Sequence, residues 1–205
     1  MSEALVLQRP PLPKELVLLF HGVGASARDL APVGQRIAAE FPAAVVASIP
    51  APDPSDLGSG RQWFSVRGVT EENRPARVQD TLPRFLATVR DWQQQTGLGP
   101  EQTTLAGFSQ GAIMSLASTS APQPPAARVV SLSGRFDQLP SRAPAGVRFH
   151  FIHGDQDPVI PAGHAAAAVQ RLRELGLPVT LDLIPGLGHG IDARALAALL
   201  ERLRG

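Results

Sequence analysis

Six short apolar runs recur along the chain with helical patterns between them, and this alternation constrains the fold more than any other feature. The runs are Glu15–Phe20, Ala43–Ile49, Thr103–Phe108, Arg128–Leu132, Val147–His153 and Val179–Ile184. They are continuously apolar, where a half-exposed strand would alternate, which is the mark of parallel strands covered on both faces. The spacing predicts helices over Arg28–Glu40, Arg74–Thr96, Gln110–Ser118, Ala162–Leu175 and Ile191–Leu203. Leu30, Val33 and Ile37 share one face of the first, and Leu196, Leu199, Leu200 and Leu203 form a stripe on the last. Pro75 is tolerable in a first turn, whereas Pro83 is expected to kink the long helix. A TIM barrel needs eight strand–helix units in ~250 residues, and these are too few. The predicted fold is α/β, a doubly wound, mostly parallel open sheet with helices on both faces, occupying residues 1–205 as one domain.

Composition removes several function classes. The net charge is +1, so no broad footprint for nucleic acid is expected. All basic residues but Lys14 are arginine, which reads as composition bias and not as phosphate recognition. The absence of cysteine excludes disulfides, thiolate metal sites and a cysteine nucleophile. No apolar run approaches the ~18 residues of a membrane span. The first 15 residues lack the basic start and long apolar stretch of a signal peptide, so a cytoplasmic location is expected. His189 with Asp192 lacks a third partner at ligand spacing, so neither metal nor other cofactor is expected.

Gly107-Phe108-Ser109-Gln110-Gly111 is G-x-S-x-G, placed after an apolar run and at the start of a helical one. That is the strand–turn–helix setting of a nucleophile elbow, in which a tight turn strains the serine backbone and exposes Oγ. A glycine-flanked serine capping a helix is the plainer alternative. A serine nucleophile needs a base, and the base needs an orienting carboxylate. Chains with such an elbow carry them in the order serine, acid, histidine. His150 lies inside a strand, His153 ends that strand too early to follow the acid, and His164 opens an alanine-rich helix. His189 lies in Pro185-Gly186-Leu187-Gly188-His189-Gly190, a loop able to project an imidazole over the sheet edge. Asp155 and Asp157 both follow the strand ending at His153, and residue chemistry alone leaves that choice open. The loser would stabilise the turn. His21-Gly22-Val23-Gly24 follows the first strand, so the oxyanion donors expected are the backbone N–H groups of Val23 and Gln110. The same loop satisfies G-x-G-x-x-A, a dinucleotide fingerprint, but the second strand ends in Ser48-Ile49-Pro50 without the acid that motif requires.

With these motifs in hand, the chain resembles the phospholipase/carboxylesterase family of α/β-hydrolases, which includes acyl-protein thioesterases and small bacterial carboxylesterases. LLFHGVGAS at 18–26, RQWFSVRG at 61–68, GFSQGAIMSL at 107–116, HGDQDPVIP at 153–161 and GLGHGID at 186–192 carry the resemblance, in family order over nearly the whole chain. It implies an α/β-hydrolase fold with Ser109 as nucleophile, Asp157 (the aspartate before proline) as acid and His189 as base, with Val23 and Gln110 as oxyanion donors. Trp63 matches a tryptophan bordering the family's substrate channel, with Phe64 beside it. Anchoring of their loop in the core is the alternative reading. Ser65 stands where many relatives have aspartate. The activity implied is hydrolysis of short-acyl carboxylic esters on small molecules or on a larger carrier. Thioesterase or lysophospholipase activity and a non-catalytic binding role are the alternatives. The segment SGRFDQLPSRAPAG is too short for a lid domain, so a fairly open site roofed mostly by residues 50–69 is expected.

Overall fold

A computed structural model describes residues 4–205. The strands are β1 (Leu5–Gln8), β2 (Glu15–Phe20), β3 (Ala44–Ile49), β4 (Asp53–Pro54), β5 (Arg61–Gln62), β6 (Thr103–Phe108), β7 (Arg128–Leu132), β8 (Arg148–Gly154) and β9 (Val179–Ile184). The α-helices are α1 (Ala31–Glu40), α2 (Arg74–Thr96), α3 (Gln110–Ala117), α4 (Gly163–Glu174) and α5 (Ala193–Arg204). Seven strands form one sheet in the order β1-β3-β2-β6-β7-β8-β9, parallel except for β1, which runs antiparallel to β3.

Side chains leave a strand on alternate faces, and here both sets are apolar. Leu16, Leu18 and Phe20 of β2 pack with Phe85 and Val89 of α2, in the cluster that also takes Val169 and Leu172 of α4. Val17 and Leu19 point the other way, into the cluster with Ile37 of α1 and Leu199 of α5. The helices are thus forced onto both sides of the sheet. Parallel connection also gathers the carboxyl ends of β2, β6 and β8 along one edge, where ligand sites of open α/β sheets form.

The differences from the sequence expectation are local. The strand β1 was not foreseen: four partly exposed residues followed by Pro10, Pro11 and Pro13 give no buried-strand signal. The first helix opens as a 3-10 turn at Ala27–Leu30, before Pro32 permits the α-form. Asp29 Oδ2 accepts from both the N–H and Oγ of Ser26, closing that turn. The last helix begins at Ala193 because Asp192 caps it, accepting from the N–H groups of Arg194 and Ala195. Helix α2 remains helical through Pro83. Between β7 and β8 lies an irregular connection without helix or strand.

Buried histidines make the fold acid-sensitive. Burial first, and then the positive charges of Arg128, Arg202 and Arg148, push the His150 imidazole from its usual 6.5 down to about 4, against a small opposing effect of Asp182. Burial also lowers His21. Between the two values the unfolded chain binds a proton that the native chain refuses, so the contribution of His150 to stability is complete above pH ~6.5 and is lost as pH falls toward 4. Melting temperature followed by circular dichroism should fall over that window. The fall should be shallower in His150→Gln, which keeps a partner for Thr180 Oγ1 but does not titrate. Equal slopes in the two proteins would contradict this account.

Candidate active site

Strand β6 runs directly into α3 through Ser109, whose backbone sits at φ 52 and ψ −116. Positive φ is rare for a residue with a side chain, and such a conformation costs of order 1–3 kcal/mol. The surroundings hold it in place. Ser109 N–H donates to Leu132 O at 3.0 Å, and Ser109 O accepts from Ile113 N–H at 3.1 Å. A Cβ on Gly111 would collide with the carbonyl of Phe20, so only glycine lets the first turn of α3 settle onto the end of β2.

The side chains expected from sequence meet at this turn. Ser109 Oγ lies 2.9 Å from His189 Nε2, and His189 Nδ1 lies 2.8 Å from Asp157 Oδ2. Asp157 is buried. Its Oδ1 accepts from the N–H groups of Val159 and Ile160, each at 2.9 Å. Burial acts to raise its carboxyl, but the hydrogen bonds from His189, Ile160 and Val159 outweigh that and hold it below the usual value. With the carboxylate ionised, the His189 proton sits on Nδ1 and leaves Nε2 to accept from Ser109. Phe108 tilts against the imidazole at a centroid distance of 5.0 Å.

The two aspartates point in different directions. Asp155 faces the next loop instead, where its Oδ1 accepts from Gly186 N–H at 2.7 Å. Gln156 N–H donates to Leu187 O at 3.0 Å, and a Cβ on Gly154 would strike that carbonyl. The loop carrying His189 is therefore clamped to the end of β8. The buried His153, set aside on sequence order, lies behind the acid. Its Nε2 donates to Ile160 O at 2.7 Å and sits 3.3 Å from Asp157 Oδ2.

Val23 and Gln110 line one cavity with Ser109. Gln110 is the first residue of α3, so its N–H has no partner within the helix. The Val23 loop lies against the serine, since a Cβ on Gly22 would come within 3.1 Å of Ser109 Cβ. Two braces fix that loop. His21 Nδ1 donates to Gly22 O while its Nε2 accepts from Ala51 N–H, at 2.7 and 3.0 Å. Gly24 N–H donates to Arg61 O, and Arg61 N–H to Ala25 O, at 3.0 and 2.8 Å.

Trp63 and Phe64 separate in role. Trp63 is 2% exposed and packs edge-on against Phe20 and Phe85, so its ring is a core anchor and is absent from the wall of the Ser109 cavity. That packing matches the core-anchor alternative, and Trp63 also borders a separate open groove shared with Phe64 and Ser65. Phe64 does line the cavity. The Gln110 side chain ties both to the elbow, accepting from Trp63 N–H and donating to Phe64 O, each at 2.7 Å. Ser65 donates to Asp56 at 2.6 Å, so a carboxylate is still present here although residue 65 is not acidic. Hydrogen bonds from Ser65 and the backbone lower that carboxyl to about 2. The cavity, of about 310 Å³, is walled by Phe64, Val66 and Val69 on one loop and by Val159, Ile160 and Pro161 on another. Its roof thus comes from two loops, and Ser109 is 7% exposed, more enclosed than expected. Glu71, Arg74, Arg135 and His164 also line it, and sequence reading passed over them in this setting.

This sheet, elbow and cavity define an α/β-hydrolase. The profile of the Phospholipase/Carboxylesterase family matches residues 3–204, and the chain belongs to that family. Esterase YpfH of Escherichia coli (strain K12) is 47% identical over 200 residues, covering 97% of this chain and 86% of that one. The crystal structure of esterase PE8 superimposes with a TM-score of 0.87 at 30% identity, covering 99% of both chains. Acyl-protein thioesterase 1 of Gibberella zeae (strain ATCC MYA-4620) is a more distant relative, 29% identical over 141 residues, or 62% of this chain and 60% of that one. The chain is a carboxylesterase-type hydrolase.

The packing at Gly111 generates a test. Gly111→Ala should lower stability by about 1–3 kcal/mol, because the new methyl meets backbone that cannot yield. Denaturant unfolding measures it, and a variant as stable as the wild type would refute the close approach.

Proposed function

We propose that one α/β-hydrolase domain cleaves short-acyl carboxylic esters by two-step acyl transfer through Ser109, His189 and Asp157. The observation that carries this reading is the chain of two hydrogen bonds, 2.9 and 2.8 Å, from a strained serine through His189 to a buried aspartate. Ser109 Oγ attacks the ester carbonyl as His189 Nε2 takes its proton. Asp157 fixes the imidazole tautomer and stabilises the imidazolium that forms. The N–H groups of Val23 and Gln110 receive the oxyanion. His189 then protonates the departing alcohol, and water, activated by the same imidazole, releases the acid. This sequence uses only groups of the protein and water.

The cavity volume supports a short acyl chain, since about 310 Å³ is at the small end of ligand pockets. An acyl group borne on a larger carrier is compatible with the same chemistry, and the thioesterase relative is the observation in favour of including thioesters.

Ser109→Ala should abolish both ester hydrolysis and labelling by a fluorophosphonate, with kcat down by ~10⁶. The fold should persist, because the change removes a single oxygen. Turnover near the wild-type value would refute the mechanism. The aspartates should part company. Asp157→Asn presents an amide to His189 and favours the wrong tautomer, a change worth ~10⁴ in kcat in a serine protease. Asp155→Asn keeps an oxygen for Gly186 N–H, so any loss falls mainly on stability and stays near 1 kcal/mol. Measuring kcat for both on one chromogenic ester, after circular dichroism, decides. A dead Asp155→Asn beside a live Asp157→Asn would reverse the assignment.

A further inference from the structure

The wall of the Ser109 cavity holds a charge imbalance that ester cleavage does not require. Arg135 grips Glu71 with two nitrogens, Nη1 to Oε1 at 3.0 Å and Nη2 to Oε2 at 2.7 Å. Arg74 Nη1 reaches the same Oε1 at 2.6 Å. The arginine side chains are half-buried, 13% and 16% exposed, whereas the Glu71 side chain between them is 66% exposed. Within this hydrogen-bonded triad two half-buried cations share one anion that faces solvent, leaving one positive charge over. His164 cannot cancel it, since its Nε2 lies 3.2 Å from Arg135 Nη1 and must accept there, and burial and the arginines hold it neutral. Asp137 acts on Arg135 through space, but burial raises its carboxyl, it makes no hydrogen bond to either guanidinium among the described residues, and it lines a different cavity with Gln79. Arg74 Nε and Nη2 likewise have no protein acceptor among the described residues.

Guanidinium nitrogens left without a protein acceptor beside the cavity can be completed by an anionic ligand. Arg74 is also the first residue of α2, where the helix end itself favours an anion. Glu71 keeps the two guanidinium planes together, ready for a second carboxylate, and guanidinium geometry suits that group. We propose that Arg74 and Arg135, bridged by Glu71, form a recognition site for a carboxylate carried by the ester substrate, so that the enzyme prefers esters bearing a free acid. A carboxylate brings one negative charge to match the one left over, whereas a phosphate monoester brings about two. The inference rests on the Ser109 esterase reading and specifies the substrate class of that site.

The test compares an anionic ester with a neutral isostere in each protein. On the acyl side the pair is p-nitrophenyl hydrogen glutarate and p-nitrophenyl 5-oxohexanoate. On the alcohol side it is 4-acetoxybenzoate and 4-acetylphenyl acetate. Rates are taken above the spontaneous rate, and the readout is the ratio of kcat/KM within a pair, which cancels general losses when variants are compared. Arg74→Gln makes the cluster neutral and should lower the anionic-to-neutral ratio about tenfold in one pair. Glu71→Gln raises the net charge and should move the same ratio upward. The wild-type ratio should fall as salt rises. Whichever pair responds identifies the side of the ester that carries the acid. Ratios unchanged in both pairs across all three proteins, with neutral esters still cleaved, would overturn the proposal and leave the esterase intact, as expected if the cluster only ties the loops together. Absence of Ser109-dependent cleavage of either neutral ester would instead strike the esterase reading, and the proposal with it.

Discussion

Gly111 rests its backbone on the carbonyl of Phe20, closer than any side chain would permit. That contact seats the first turn of α3 on the end of β2. With α3 seated there, the chain leaving β6 must turn within one residue, and Ser109 takes the positive φ that the turn demands. The strain is held by the hydrogen bond from Ser109 N–H to Leu132 and by the burial of every residue of α3. The same contact brings the Gly22–Gly24 loop beside the serine, because that loop is the continuation of β2. The strained serine and the loop proposed to receive the oxyanion are thus two consequences of one helix–strand approach. A methyl group at residue 111 would disturb both, which is why the stability test bears on the site as well as on the core.

The legibility of this architecture varies with how local its cause is. The sheet could be read from β2, β3 and β6, where apolar residues on both faces leave no other environment. Ser109 could be read because a strand, two glycines and a helix start adjoin it in sequence. The choice of Asp157 over Asp155 could not be read from residue chemistry. Both leave the same strand end, and only the fold shows one turned to His189 and the other to Gly186. Strand β1 was hidden because an exposed edge strand lacks the continuous apolar signal. The role of Trp63 stayed open between channel and core for a related reason: a large aromatic in an irregular segment looks the same from sequence whether it faces a ligand or the core. Its packing on Phe20 and Phe85 depends on residues far away in the chain.

Arg74 and Arg135 show the limit most clearly. In a chain whose cations are almost all arginine, no single arginine stands out, and composition bias was a sufficient account of them. What distinguishes these two is their convergence on a single shared carboxylate at the cavity wall, a property of three segments at once: the end of the 61–73 loop, the start of α2 and the connection after β7. Sequence spacing cannot report it, since Glu71 and Arg135 are 64 residues apart.

The supports around the site divide into two groups with different consequences. One group fixes charge: Asp157 is held ionised by two backbone N–H groups and His189, with His153 packed behind it. The other fixes position: Gln110 binds the Trp63–Phe64 segment, His21 binds Gly22 and Ala51, and Asp155 binds the His189 loop. Damage to the first group changes the protonation state available to Ser109 and should appear in turnover even when the fold is intact. Damage to the second loosens a loop and should appear first as lost stability. Gln110 belongs to both. Its backbone N–H faces the oxyanion in the proposed mechanism, while its side chain bonds to Trp63 in the core and to Phe64 on the cavity wall. Through that one residue, the loop that walls the Ser109 cavity is tied to the turn that strains the serine, so in the proposed mechanism a shift of the one is passed to the other.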